Sequence, residues 1–200
     1  YAETIEAGKS LELIIRAGAG VNNIDLEKAS NSGVYVANCP GKNSDAVAEL
    51  TLGHIIACDR RIVDASLDLR SGNWKKKAYQ KAAGLKGRTL GIIGLGSIGS
   101  ALAKLAKGLD MRVIAWSRSL TSDKADKLDL IYCESITEVA ANADVVSVHL
   151  AMTPDTKHLL NNDFFNKMKD GAIFVNTSRG EIVDNAVLRK AIDEKALRVG

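Results

Sequence analysis

One stretch limits what this chain can become more than any other: Gly94-Leu95-Gly96-Ser97-Ile98-Gly99, directly behind the apolar run Thr89 to Ile93 and opening a helical pattern. A bare G-x-G-x-x-G is weak evidence. Here a strand precedes it, a helix follows, and a further strand comes about 20 residues on, which makes it the turn of a βαβ unit that receives a dinucleotide. Gly94 permits the tight turn, Gly96 lets a pyrophosphate approach the backbone, and Gly99 lets the helix lie close to the sheet. The helix N-terminus then offers unpaired N–H groups and a positive dipole to the phosphates. The alternative is a purely structural glycine turn.

The rest of the chain agrees with this unit. Apolar runs at Thr89 to Ile93, Arg112 to Trp116, Leu130 to Cys133, Val145 to His149 and Ala172 to Asn176 alternate with helical patterns, the mark of an α/β fold with a Rossmann-type, doubly wound parallel sheet. Ile98, Leu102, Leu105 and Leu109 form one apolar stripe of the first crossover helix. Ser135 with Glu138 reads as a capping box, and Asp184 caps a helix carrying Val187, Leu188, Ile192 and Leu197. Ahead of this region, residues 44 to 69 read as one long helix and Arg70 to Gly87 as a loop. Leu11 to Asn38 reads as strand, glycine turn, short helix capped by Asp25, and strand from Val34 to Ala37. Residues 1–42 are therefore expected to be a fragment of a separate domain, and 43–200 a dinucleotide-binding domain that is incomplete at its C-terminus. The small first unit cannot bury its own faces, so partner segments are expected on either side.

Composition narrows the functional classes. Of 200 residues 46% are hydrophobic and 26% charged, which is ordinary for a globular chain. The net charge is +3, yet Arg70, Lys75, Lys76, Lys77, Lys81, Lys86 and Arg88 lie together with no acid among them, so the remainder is net acidic. A nucleic-acid binder would spread such charge over a face. The segment is either a solvated loop or one that reaches an anion. Cys39, Cys58 and Cys133 are odd in number and widely spaced, without the pattern of a metal site, and read as core filler in a reducing compartment rather than as nucleophiles. No apolar run is long enough for a membrane span, and the expected location is the cytoplasm.

Three further places carry chemistry. The second strand of the βαβ unit ends in Trp116-Ser117-Arg118-Ser119, without the acid that would hold ribose hydroxyls and repel a 2′-phosphate. Ser117 can donate to a phosphate oxygen and Arg118 can pair with it, so the cofactor is NAD or NADP with a tilt toward NADP(H). Otherwise Ser117 binds a ribose hydroxyl and Arg118 is solvated. The fifth strand ends in Asn176-Thr177-Ser178-Arg179-Gly180. Ligands of open parallel sheets bind beyond the carboxyl ends of the strands, so Arg179 is placed to grip a substrate carboxylate and polarise the neighbouring oxygen, or else it forms a structural salt bridge. In the first unit, Arg16-Ala17-Gly18-Ala19-Gly20-Val21 follows a strand in the same way, and its bared N–H groups can cradle an anion beside Arg16.

Together these motifs resemble the D-isomer-specific 2-hydroxyacid dehydrogenases, most closely their D-3-phosphoglycerate dehydrogenase branch. The Arg16 to Asp25 turn, Asn38-Cys39-Pro40 leading to Val47-Ala48-Glu49-Leu50, the Gly94 to Gly99 turn, His149 to Pro154 and Asn176 to Asp184 stand in the right order over nearly the whole chain. The resemblance implies a flavodoxin-like substrate domain for the first unit, an active site in the cleft between domains, and a homodimer built on the long helix. It further implies that Arg179 is the catalytic arginine and that Ala19, Gly20 and Val21 offer N–H groups to the substrate. Ser97 and Ile98 would touch the pyrophosphate, and Leu150, Thr177 and Ser178 would border the rest of the cofactor. Asn22 and Ser117 depart from the aspartates common at those places. The family's acid-base pair, a histidine with a glutamate, would follow Gly200. His54, His149 and His158 are not in its place and read as structural or cofactor-adjacent. The implied activity is oxidation of 3-phosphoglycerate in serine biosynthesis. A reductase of glyoxylate or hydroxypyruvate and a non-catalytic, NAD(H)-sensing co-repressor are the other readings.

Overall fold

In the computed structural model, which describes residues 2–200, the chain divides into two compact units, Tyr1–Asp45 and Ala46–Gly200. The first holds α1 (Ala2–Ala7), β1 (Leu13–Arg16), α2 (Leu26–Asn31) and β2 (Tyr35–Asn38). The two strands run parallel, with Leu13 opposite Tyr35 and Arg16 opposite Asn38. Asp25 caps α2 by accepting the Lys28 N–H at 2.8 Å. Ile5, Ala29 and Val34 form a small core with Ile14 and Val36 against it. The opposite face carries Ile15, 69% exposed, and Tyr35, 77% exposed, so within this unit only one side of the strand pair is covered.

The second unit begins within the first turn of α3 (Ser44–Arg60) and continues with α4 (Ile62–Arg70), β3 (Thr89–Ile93), α5 (Ser97–Lys107), β4 (Arg112–Trp116) and α6 (Ser122–Lys127). After them come β5 (Ile131–Tyr132), α7 (Ile136–Asn142), β6 (Val145–Val148), α8 (Asn162–Lys167), β7 (Ile173–Asn176), α9 (Asn185–Lys195) and β8 (Arg198–Val199). The six strands are parallel in the order β5-β4-β3-β6-β7-β8, the expected doubly wound sheet. Because helices cover both faces, the inner strands β3 and β6 are buried at every position and apolar except for Thr89 and Ser147. On one face Leu90, Ile92, Val113, Ala115 and Val175 pack under α3, α5 and α6. On the other Ile93, Val146, Val148 and Phe174 meet α7 and α8, where Phe164, Phe165 and Phe174 stack edge to face.

Several local expectations need correction. The long helix is two helices, because Arg61 adopts a left-handed conformation at φ 52°. That conformation is costly for a residue with a Cβ. It is held by the Arg61 side chain, which bonds Asp64 at 3.0 Å and lies over the Tyr79 ring. The crossover helix α5 buries Gly99, Leu102, Ala103 and Ala106, whereas Leu109 lies past its Gly108 end and is exposed. Leu102 of the expected stripe is fully buried and Leu105 packs against the same core, with the small residues Gly99, Ala103 and Ala106 letting the helix lie close to the sheet. Ser135 caps α7 as expected, but the Glu138 carboxylate reaches the N–H of Glu134 at 2.7 Å instead of that of Ser135. Leu197 follows α9 instead of belonging to it, after Ala196 turns left-handed. The basic segment is no plain loop. It contains a 3-10 turn at Lys76–Tyr79, Lys75 pairs with Asp68, and Lys86 pairs with Asp110. Burial pushes the Cys133 thiol up to about 11 and raises that of Cys58 too, which fits core filler and not nucleophiles.

The basic residue that matters most to the fold is Arg88. Asp59 of α3, 1% exposed, accepts from Arg88 Nη1 at 3.1 Å and from the Gly84 N–H at 3.1 Å. Arg88 also donates to the Asp144 carbonyl, at 3.2 Å. This group ties α3 to the entry of β3. Asp59→Ala removes the carboxylate hydrogen-bonded to a largely buried guanidinium and is expected to destabilise the protein by about 3 kcal/mol, measured by urea unfolding.

Candidate functional site

The sheet's strand order reverses between β3 and β6, so the loops leaving their carboxyl ends diverge and open a crevice. Gly94 stands at that point with φ 98°, and a Cβ there would lie 2.6 Å from the His149 carbonyl oxygen and 3.0 Å from Leu150 Cδ2. Only glycine lets the two loops approach so closely. Gly99 is as constrained, since its Cβ would meet the Gly94 carbonyl oxygen at 2.3 Å. Gly96 differs: its position faces open space, and it begins α5 with no side-chain cap. The first helical hydrogen bond goes from the Ser100 N–H to the Gly96 carbonyl. The N–H groups of Ser97, Ile98 and Gly99 thus have no partner among the described residues. A bare cradle, an open approach and exposed donors fit a pyrophosphate.

Behind the crevice, His149 Nε2 lies 2.9 Å from the fully buried Ser147 Oγ. Burial pushes the imidazole down to about 4, so the ring is neutral at physiological pH. The two groups share one hydrogen bond in which either can donate, and the buried Nδ1 of the ring has no partner among the described residues. His54 is half-buried on α3, and His158 is exposed with φ 52°.

The loop after β7 is organised by one amide. Asn176 Oδ1 accepts from the Ser178 N–H at 3.0 Å and from Ser178 Oγ at 2.6 Å, while Nδ2 donates to the Arg179 carbonyl at 2.9 Å. Arg179, half-buried, donates from Nη1 to the Ser178 carbonyl at 2.9 Å. Thr177 is fixed from α3. The Thr51 hydroxyl donates to the Val47 carbonyl at 2.7 Å, so across the 2.9 Å contact between the two threonines Thr177 is the donor. Neither Asn176 nor Thr51 is marked as functional by the sequence alone. A threonine among apolar helix residues gives no sign that its hydroxyl meets a loop 126 positions away.

At the end of β4, Ser117 is half-buried and lines a pocket of about 330 Å3 with Leu95, Ser119, Leu120, Lys124, Lys127 and Leu128. Arg118 is exposed, is absent from that lining, and has no hydrogen-bond or ion-pair partner among the described residues. The structure thus gathers Gly94, Gly96, Ser97, Ile98, Gly99 and Leu150 at the crevice, sets Thr177, Ser178 and Arg179 on the loop of a neighbouring strand, and separates Ser117 from Arg118.

The loop of the first unit has its own logic. The Gly18 N–H donates to the Arg16 carbonyl, the Cys39 N–H to that of Gly18, Asn38 Nδ2 to that of Ala19, and the Ile24 N–H to that of Val21. With these carbonyls engaged, the N–H groups of Ala19, Gly20 and Val21 have no partner among the described residues. The Arg16 guanidinium folds over the same loop, Nη1 standing 3.4 Å from where a Gly18 Cβ would lie. Such a concavity accepts anions.

Fold and site together define a dinucleotide-binding Rossmann unit of the dehydrogenase type. Residues 52–199 match the D-isomer specific 2-hydroxyacid dehydrogenase, NAD binding domain, and the chain belongs to that family. It is 41% identical over 196 residues to a hydroxypyruvate reductase of Thermotoga maritima, covering 96% of this chain and 61% of that protein. It is 37% identical to a D-3-phosphoglycerate dehydrogenase of Methanocaldococcus jannaschii, covering 98% of this chain and 37% of that one. The apo-structure of D-lactate dehydrogenase from Escherichia coli superposes with a TM-score of 0.88 at 31% identity, over 99% of this chain and 64% of that chain. The chain thus spans less than two thirds of each. No helix of the described residues is long and apolar enough to cross a membrane.

The two glycines make opposite predictions. Gly96→Val fills open space at a negative φ, so the thermal midpoint stays as in the parent while NADH binding weakens at least about tenfold, roughly one lost charge-assisted hydrogen bond. Gly99→Val collides with backbone and lowers the midpoint itself. Calorimetric unfolding and fluorescence titration of both variants check this.

Proposed function

We propose that the chain is the dinucleotide-binding part, with a portion of the substrate domain, of an NAD(P)-dependent dehydrogenase that acts on a D-2-hydroxy acid, with 3-phosphoglycerate as its substrate. The carrying observation is the loop after β7, where Asn176 and Thr51 hold the segment that presents Arg179 at the carboxyl end of the sheet. In this reading Arg179 takes the substrate carboxylate through paired N–H groups and polarises the adjacent oxygen. Gly94, Gly96, Ser97, Ile98 and Gly99 hold the pyrophosphate, Ser117 the adenosine ribose, and Leu150, Thr177 and Ser178 border the remainder. The bound dinucleotide supplies the hydride chemistry. Arg16, Ala19, Gly20 and Val21 receive the anionic substrate, and a phosphate-bearing acid suits a loop that adds a guanidinium to three N–H groups.

A second reading, reduction of hydroxypyruvate or glyoxylate with NADPH, is favoured by the absence of an acid at Ser117 and by the likeness to a hydroxypyruvate reductase. Steady-state rates of the full-length enzyme with 3-phosphoglycerate and with hydroxypyruvate separate the two. Both readings place the protein in the cytoplasm, consistent with three unpaired cysteines among the described residues.

Arg179→Lys keeps the charge but loses the planar fork. Turnover of the full-length enzyme is expected to fall by about 100-fold, on the scale of two charge-assisted bonds, with dinucleotide affinity retained. Equal losses in both quantities contradict the assignment. We also propose a homodimer through α4, whose Ile62, Val63, Leu67 and Leu69 are all exposed. Sedimentation of the full-length protein is expected to show a dimer at micromolar concentration, and a monomer there would remove the proposal.

A further inference from the structure

The pocket at the end of β4 joins Leu95, Ser117 and Ser119 of the two sequence motifs to Leu120, Lys124, Lys127 and Leu128, which lie outside them. Ser117 forms one wall and Leu95, from inside the glycine turn, another, so the pocket adjoins the helix start that fits a pyrophosphate. Leu120 and Leu128 supply apolar surface. The remaining charged groups of the lining are both lysines, Lys124 and Lys127 of α6, three residues apart and so on one face of the helix. Lys124 is positioned rather than loose: its Nζ donates to the Ser119 carbonyl at 2.9 Å, which draws the ammonium to the loop that leaves β4. Neither lysine is in an ion pair among the described residues. No acid lines the pocket, and Asp126 of the same helix faces a different cleft, with Lys107 and Arg112. Arg118, the cation that the motif itself offers, does not line it at all.

We propose that Lys124 and Lys127 select a 2′-phosphate on the adenosine ribose of the dinucleotide, with the Ser117 hydroxyl as the neutral donor between them and the sheet. An apolar wall for the nucleoside, one hydroxyl and two ammonium groups without a competing carboxylate make a site for a phosphomonoester dianion. The ammonium groups act as point charges, and Lys124 is held in place by a carbonyl instead of being neutralised by an acid. This inference rests on the reading of the Gly94 to Gly99 turn as the dinucleotide site.

The test is calorimetric titration of the full-length protein with adenosine 2′,5′-bisphosphate and with 5′-AMP, which share everything but the 2′-phosphate. The parent protein is expected to prefer the bisphosphate. Lys124→Met is expected to weaken the bisphosphate by about tenfold, on the scale of one charge-assisted hydrogen bond, and to retain affinity for 5′-AMP. Lys124→Arg restores the difference, and Lys127→Met reduces it independently. If both methionine variants keep the parent's preference while Ser117→Asp abolishes it, the lysines are not the selectors although the site is where we place it. If Lys124→Met weakens both ligands equally, the lysine only props the Ser119 loop, and the proposal is overturned. If the parent protein binds 5′-AMP but gains nothing from the 2′-phosphate, the preference for NADP(H) fails and this proposal with it. Failure to bind either ligand overturns the dinucleotide site itself.

Discussion

The contact on which the second unit depends is that of Gly94 with the carbonyl of His149, where the backbones leaving β3 and β6 approach more closely than any side chain would permit. Strand order reverses at this point, and a reversal is what separates the crossover helices to opposite faces and leaves a crevice above the sheet. Gly99 closes the same arrangement from the helix side by letting α5 rest on the Gly94 carbonyl. The start of α5 is thereby fixed at the lip of the crevice, and its first N–H groups face the place where a pyrophosphate fits.

Rigid supports then carry each functional loop. Asp59 and Arg88 bind α3 to the entry of β3, so Thr51, two turns earlier on that helix, stands at the opposite end of the sheet, where it meets Thr177. Asn176 finishes the job by bonding three points of the loop that bears Arg179. If Arg179 holds a planar carboxylate by two bonds, as we propose, it gains from a backbone that does not wander. The same economy appears in the first unit, where Asn38 and Cys39 engage carbonyls and leave N–H groups outward.

Much of this was legible beforehand, and the reasons are physical. The inner strands β3, β4, β6 and β7 are buried on both faces over most of their length, so each appears as a largely apolar run, and β3 and β4 fall where those runs stand. The glycine turn was legible because Gly94 and Gly99 each answer to a backbone contact that no side chain allows, while Gly96 leaves the helix start open. What escaped depends on tertiary contacts. The break at Arg61 needs Asp64 and Tyr79 to hold a left-handed residue, and no local pattern announces it. On α5 the leucine stripe holds at Leu102 and Leu105 but stops short of Leu109, and the buried Gly99, Ala103 and Ala106 beside it carry no apolar signal of their own. Lys124 and Lys127 looked like the solvated side of a short helix until the fold set that helix beside Ser117.

We propose that the amides opening α5 are donors that receive an anion. Hydrogen exchange of the full-length protein, followed at single-residue resolution with and without saturating dinucleotide, tests it most directly. Bound dinucleotide is expected to slow exchange at Ser97, Ile98 and Gly99 more than at Lys104 and Leu105 farther along the same helix. Exchange at those three amides that is unaltered by a dinucleotide shown to be bound would mean that the start of α5 does not hold the pyrophosphate.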